Sequence, residues 1–224
     1  MRTIAVIPVR MNSERLPGKV MAPLKGQPLL GYLLNRVQRC SALDDVVIAT
    51  STNTENDCIE IYCNQKRVPV FRGSEEDVLD RLLQTLLWCK ADVGVLIFGD
   101  GPLIDPQIIS QAVSVFHANS GYDFVGNDLT TTWPPGMEVE VFKVSALADA
   151  ARRCHRRQRR RTRPARPRRR SRPCHPAESP RAPAVPGRGG GQDEREEGRM
   201  NGAGLIVCAL SGVSRARGAC APRG

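Results

Sequence analysis

The sequence predicts an α/β protein built on a doubly wound, mostly parallel sheet, and three observations lead to that class. Short Val- and Ile-rich runs alternate with helix-length amphipathic stretches four times between residues 3 and 118. The runs are apolar at consecutive positions instead of alternating, the pattern of strands covered on both faces. Charged and small residues gather just after the strands, at the edge where open sheets of this class hold ligands.

The first run, "TIAVIPV" (3–9), reads as a buried strand, and "PLLGYLLNRVQRC" (28–40) as a helix with Pro28 tolerated in its first turn. "VVIAT" (46–50) is a second strand, after which Asn53 or Thr54 is placed to cap a helix reaching about Gln65. "VPVF" (68–71) is a short third strand. "EEDVLDRLLQTLLWCK" (75–90) sets Val78, Leu82, Leu86 and Cys89 on one helical face. "VGVLIFG" (93–99) is the fourth strand, and "DPQIISQAVSVFHA" (105–118) the next helix with Asp105 as N-cap. "YDFVGN" and "GMEVEVFKV" add β-rich pieces once the alternation ends. In this arrangement the loops 10–19, 50–54, 72–77 and 99–102 share the carboxyl edge of the sheet.

Composition divides the chain in two. Residues 1–150 carry 13 basic against 18 acidic side chains, a net of −5, whereas residues 151–224 carry 20 Arg, no Lys and 5 acids, a net of +15. Every aromatic residue lies at or before Phe142. The segment 152–173 has no apolar periodicity and 176–199 is rich in Pro, Gly and charge. Neither buries enough surface to offset the entropy of ordering, which predicts disorder from about residue 154. The expected organisation is a domain over 1–150 and a disordered basic tail over 151–224. The eight cysteines form no CxxC pair and no zinc-ligand spacing, as for reduced thiols in a cytosolic protein. The apolar run 4–9 is too short for a signal peptide or a membrane span, so a soluble, cytoplasmic protein without membrane association is expected.

In "AVIPVRMNSERLPGK" (5–19) a buried strand empties into a turn holding Arg10, Arg15 and Lys19 with little bulk between them. Gly18 and the small Ser13 let the main chain approach an anion closely; Arg offers a fork and Lys a point charge. A polyphosphate fits this loop, and a solvated basic loop is the plainer alternative. The pattern is neither GxxxxGK[ST] nor GxGxxG, so neither an ATPase nor a nicotinamide enzyme follows. Asp100 in "FGDGP" ends the fourth strand, where a lone Asp also serves as a cap or turn residue. Asp77 and Arg81 stand one helical turn apart, the spacing of a local ion pair. The three histidines form no catalytic arrangement.

"IPVRMNSERLPGKVMAPLKGQPLL" resembles the opening signature of the cytidylyltransferases that activate sugars as CMP-sugars, of the acylneuraminate, 3-deoxy-manno-octulosonate and spore-coat-polysaccharide types. The likeness continues in order through "VVIATS", "VFRGSEEDVLDRLLQT", "GDGPLIDP", "YDFVGN" and "PPGMEVEVF", over about residues 1–150. It implies a Rossmann-like nucleotide-diphospho-sugar transferase topology and transfer of CMP from CTP to an acidic or deoxy sugar, with pyrophosphate leaving. The resemblance assigns Arg10, Ser13, Arg15 and Lys19 to the triphosphate, with Arg10, Arg15 and Lys19 neutralising charge during transfer. It sets Ala49, Thr50, Ser51 and Arg72 near cytosine and ribose, Asn127 and Glu138 on the acceptor-sugar side, and Asp100 as the metal ligand. Mg²⁺ suits such an Asp, because the ion bridges one or two carboxylates to phosphates and keeps its waters. Two positions depart from the pattern: Glu138 stands where Asp is commoner, and Gly101 where a larger residue is usual.

The resemblance also implies a homodimer and a folded segment beyond residue 150 that completes the sugar pocket, and residues 151–224 show no counterpart. Arg without Lys, with Pro, Ala and Gly and no aromatic, is what GC-rich DNA yields in a wrong frame. "CHR" (154–156) can be back-translated so that a one-base shift reads Ala-Thr-Asp, and a frameshift near 152–154 is therefore expected. Other readings stay open. The basic tail binds RNA or DNA through phosphates, though without aromatics to stack bases. The domain uses a triphosphate other than CTP, or it is an inactive nucleotide-binding remnant.

Overall fold

The computed structural model describes residues 1–13, 16–128 and 133–161, the last seven through their backbone alone. Eight strands and five α-helices follow in chain order: β1 (Thr3–Pro8), β2 (Pro23–Leu24), β3 (Gln27–Pro28), α1 (Leu29–Val37), β4 (Asp45–Ser51), α2 (Asp57–Gln65), β5 (Val70–Gly73), α3 (Val78–Trp88), β6 (Val93–Ile97), α4 (Pro106–Ala118), β7 (Phe124–Gly126), β8 (Val139–Lys143) and α5 (Val144–Arg161). Short 3-10 turns precede β2 and α2, at Lys19–Met21 and Thr54–Asn56. The two-residue strands β2 and β3 form a separate small ribbon, which no sequence feature announced.

Six strands form one sheet in the order β5-β4-β1-β6-β8-β7. The pairs β1–β4, β1–β6 and β4–β5 are parallel, while β8 runs antiparallel to both β6 and β7. Period-2 geometry sends neighbouring side chains of each strand to opposite faces. On one face Ala5, Ile7, Ile48, Val95 and Ile97 pack with Leu30, Leu33, Ile59, Ile109 and Phe116 of α1, α2 and α4. On the other, Ile4, Val6, Val47, Leu96 and Phe142 pack with Leu79, Leu82, Leu86 and Leu147 of α3 and α5. Two apolar faces explain the unbroken apolar strands, and each large side chain so buried contributes about 1.5–3 kcal/mol.

The winding places the ligand edge. The chain steps outward from β1 to β4 to β5 with α1 and α2 on the first face, then α3 crosses the second face and β6 returns beside β1. The strand order reverses between β1 and β6, and the carboxyl ends of these two strands flank the crevice that open α/β sheets use for ligands.

Boundaries differ from expectation by a residue or two at most ends, as helix fraying and strand twist commonly produce. The larger difference is α5. Order was expected to end near residue 154, yet the helix continues to Arg161. Val144, Ala146, Leu147, Ala150 and Ala151 bury one face on the second core, and Arg, a good helix former, lets the turns propagate from that anchored start. The expectations for residues 162–224 lie outside the described residues. Among the described residues no helix is long and apolar enough to cross a membrane.

On β8, Glu140 is fully buried opposite Leu96 and Gly126, with no hydrogen-bond partner for either carboxylate oxygen among the described residues. Burial, then the nearby Asp128 carboxylate, pushes its pKa up from 4.5 to about 8. The unfolded chain therefore ionises this group first, so Glu140's own contribution to stability is fully present below pH 4.5, falls as pH rises toward about 8 and is lost beyond it. Urea unfolding against pH should show that decline, on the order of a few kcal/mol, and Glu140→Gln should flatten it. A slope unchanged by the substitution would assign it to other groups.

Candidate active site

The loop leaving β1 is shaped by its own main chain. Val9 N–H still bonds the Ala49 carbonyl at 3.2 Å, which carries β1 pairing to the sheet edge. The Met11 carbonyl then accepts from Ser13 N–H at 3.0 Å and Gly18 N–H at 2.7 Å, closing the loop on itself. Met11 N–H is held by Asn56 Oδ1 at 2.8 Å, tying the loop to the start of α2. Gly18 takes φ +72°, a left-handed turn that favours glycine, and Val20, 3% exposed, anchors the chain after it. The result returns Lys19 to the edge of the sheet beside β6. There Lys19 Nζ donates to Asp100 Oδ2 at 2.8 Å. A cation following β1 and a carboxylate following β6 thus meet across the switch point.

Arg10 points to the neighbouring loop. Its Nη1 lies 3.0 Å from Glu75 Oε1, in the connection from β5 to α3. Burial works to raise the Glu75 pKa, but hydrogen bonds from Ser51 and Arg10, with the charges of Arg10 and Arg81, hold it below the usual value. Arg81, on α3 and 2% exposed, donates Nη1 to the carbonyl of Ser74 and, at 3.5 Å, to that of Glu75. Burial lowers its pKa while Glu75 and Asp77 act to raise it and Arg10 to lower it. Asp77 itself caps α3, accepting from Asp80 N–H at 2.8 Å. The sequence missed Glu75 and the burial of Arg81, because only the sheet order brings residue 75 beside residue 10.

Residues expected around the base are placed differently from a loop. Ala49, Thr50 and Ser51 are the last three residues of β4 and are fully buried. Ser51 Oγ accepts from Asn56 Nδ2 at 2.7 Å. Arg72 lies on β5 and spends its whole fork on neighbouring structure. Nε bonds the Ser51 carbonyl at 3.1 Å, Nη2 the Asn53 carbonyl at 2.9 Å, and Nη1 meets Asp57 and Glu60 at 2.6 and 2.7 Å. It braces the turn between β4 and α2. Of the triphosphate set, Arg10, Ser13 and Lys19 share the β1 loop; Arg15 lies outside the described residues. Asp105 caps α4, accepting from Gln107 N–H at 2.8 Å, as expected.

Asn127 and Glu138 come together. They line one small pocket of about 100 Å³ with Asp128, Trp133, Pro134 and Met137. Asn127 cross-braces its rim: Nδ2 donates to the Met137 carbonyl at 2.9 Å and Oδ1 accepts from Val139 N–H at 2.8 Å. Glu138 Oε2 accepts from Gly136 N–H at 2.7 Å. This rim approaches the Asp100 loop so closely that a Cβ on Gly101 would lie 2.6 Å from the Gly136 carbonyl oxygen. The unusual glycine at 101 is therefore required by backbone contact between the two loops.

The donor set suits a magnesium-class ion. Asp100 offers one carboxylate, half exposed, at the ligand edge of the sheet; hard cations of this size take one or two carboxylates and complete their shell with water and phosphate oxygens. Among the described residues no three His, Cys, Asp or Glu side chains gather to hold a metal without such help.

A Rossmann-like open sheet with a cationic loop and a carboxylate facing each other at its switch point defines a class, the α/β folds that receive ligands at the strand ends. Within that class the chain belongs to the cytidylyltransferase family, whose model matches residues 4–173. It is similar to the spore coat polysaccharide biosynthesis protein SpsF of Bacillus subtilis, 36% identical over 152 residues, covering 66% of this chain and 61% of that protein. It also resembles a 3-deoxy-manno-octulosonate cytidylyltransferase of Pelobacter propionicus, 35% identical over 113 residues, covering 50% of this chain and 44% of that one. Among solved structures, a cytidylyltransferase of Leptospira borgpetersenii superposes with a TM-score of 0.66 at 33% identity, over 68% of this chain and 64% of that chain. The match spans less than two thirds of each of these relatives.

The bracing geometry of Arg72 separates two roles by experiment. Arg72→Lys keeps the charge and loses the fork. If bracing dominates, the melting temperature falls, by about 1–3 kcal/mol of stability. A residue that acted only on the base would leave melting unchanged and weaken nucleotide affinity alone.

Proposed function

We propose that this chain is a nucleotidyltransferase that moves CMP from CTP to a sugar hydroxyl and releases pyrophosphate, acting on an acidic or deoxy sugar destined for polysaccharide or glycan. The observation that carries the reading is the Lys19–Asp100 pair at the switch point, with Arg10 on the same loop as Lys19, in a member of the cytidylyltransferase family. The name of the 3-deoxy-manno-octulosonate relative supports the sugar class. Pocket-lining Asn127 and Glu138 are the proposed acceptor contacts.

In this reading the sugar hydroxyl attacks the α-phosphorus in line, and the protein supplies positioning and charge. Arg10, Ser13, Arg15 and Lys19 hold the triphosphate, and the three cations neutralise the departing pyrophosphate. Ala49, Thr50 and Ser51 form the rigid strand end beneath the nucleoside, and Arg72 fixes the turn that follows. Asp100 would hold Mg²⁺, which when bound polarises the phosphoryl oxygens. The proposal includes a cytoplasmic location; a homodimer is what the family implies, although residues 151–224 show no sequence counterpart of the segment that would build it. The proposal also divides the chain into a 1–150 unit and a basic tail that begins at a frame change near 152–154. Resequencing codons 145–165 tests that division, and an intact frame refutes the frame change.

Lys19→Ala should retain the melting profile and lose about 10²–10³ in pyrophosphate release from CTP; undiminished turnover would sink the assignment. Ranking CTP, UTP, GTP and ATP by thermal shift tests the base, with CTP expected to stabilise most. The second reading is nucleotide binding without turnover. CTP binding by the wild type with no CMP transfer to any sugar acid would select it.

A further inference from the structure

We propose that Lys19 occupies the cation seat on Asp100 until a triphosphate draws it away, so that this site takes its divalent cation together with the nucleotide and not ahead of it. The inference rests on the nucleotide reading above and concerns the regulation of that same site.

Lys19 Nζ stands 2.8 Å from Asp100 Oδ2, a charge-assisted hydrogen bond that engages one of the two carboxylate oxygens. An ion bound to that oxygen at about 2.0–2.1 Å would sit within a few ångströms of the ammonium. Two positive charges that close repel strongly at a partly shielded site, and here Lys19 is only 24% exposed. The ion would also have few compensating ligands, since Asp100 offers one carboxylate and no group of three metal-ligating side chains gathers among the described residues. Free metal therefore has to bind against the ammonium's charge, or displace it, while gaining little.

A triphosphate changes both terms. It gives Lys19 a new anionic partner, on the loop that also carries Arg10, and it brings oxygen ligands for the cation. The pair exchanges: ammonium to phosphate, cation to Asp100, with each charge compensated before and after. Thermodynamic linkage then makes the effect reciprocal, so metal and nucleotide each tighten the other's binding.

Mn²⁺, whose free fraction is read directly by electron paramagnetic resonance, is the probe. It is titrated into the full chain without nucleotide, using wild type, Lys19→Gln, Asp100→Asn and the double variant. Lys19→Gln should bind Mn²⁺ about 5–50-fold more tightly than wild type, and the double variant should lose that gain. Lys19→Ala, which introduces no new amide, should repeat the result. With CTP present, wild type should approach the affinity of Lys19→Gln. Equal Mn²⁺ affinity in wild type and Lys19→Gln overturns the proposal, as does a gain that survives Asp100→Asn. CTP that binds yet leaves the wild-type Mn²⁺ affinity unmoved overturns it too. The nucleotide-free titrations do not depend on CTP, so failure of CTP to bind the wild type counts against the nucleotide reading and leaves the Lys19 result standing.

Discussion

Strand β1 is hydrogen-bonded to a parallel neighbour on each side and buried on both faces, and the rest of the site depends on that confinement. A central parallel strand has almost no freedom to slide, because a one-residue slip would turn Ile4 and Val6 into the layer occupied by Ala5 and Ile7. Its carboxyl end is consequently a fixed origin. Arg10 leaves that origin two residues after the last strand residue, and the Met11 carbonyl gathers the loop so that Lys19 comes back to the same edge. The basic loop is positioned by its own backbone hydrogen bonds together with the Asn56 side chain on Met11 N–H.

Around this origin the charges are arranged in opposed pairs from different elements. Lys19 meets Asp100 from β6's exit, and Arg10 meets Glu75 from β5's exit. Arg81 is buried behind Glu75 and grips the backbone that carries it. Buried Arg81 needs such partners, because an unpaired charge in its place would be strongly disfavoured, whereas the more exposed Lys19–Asp100 and Arg10–Glu75 pairs are screened by solvent. The pairing also means that an incoming anion has to compete with a carboxylate for each of these two cations. Arg72 performs a related task at β5, engaging each of its three nitrogens with the end of β4, the turn after it or α2.

The acceptor side is built differently. The antiparallel strands β7 and β8 extend the sheet beyond β6, and the described part of their connection folds back over the Asp100 loop, where Gly101 and Gly136 touch through bare backbone. Asn127 and Glu138 use their side chains to fix this rim. Its contact with Asp100's own loop couples the shape of the small pocket to the carboxylate that faces Lys19.

The alternation of apolar runs and amphipathic helices was enough to predict the mostly parallel sheet, since strands apolar at consecutive positions mark a sheet covered on both faces. Caps such as Asp105 were legible because capping is settled within three residues. The cationic loop was legible too, as a cluster local in sequence, and so was the family. Which charge faces which was not. Glu75 beside Arg10 and Asp100 beside Lys19 join residues 65 and 81 positions apart, distances that only the order β5-β4-β1-β6 converts into contact. The same holds for Arg72, whose spacing gave no sign that its fork would be consumed by β4 and α2. Helix α5 outran its expected end because a packed apolar face carried an unpatterned arginine run with it. Local chemistry determined the elements and the kinds of residue at the site; long-range strand pairing decided their partners, because contact between distant loops is a property of the sheet and not of either loop.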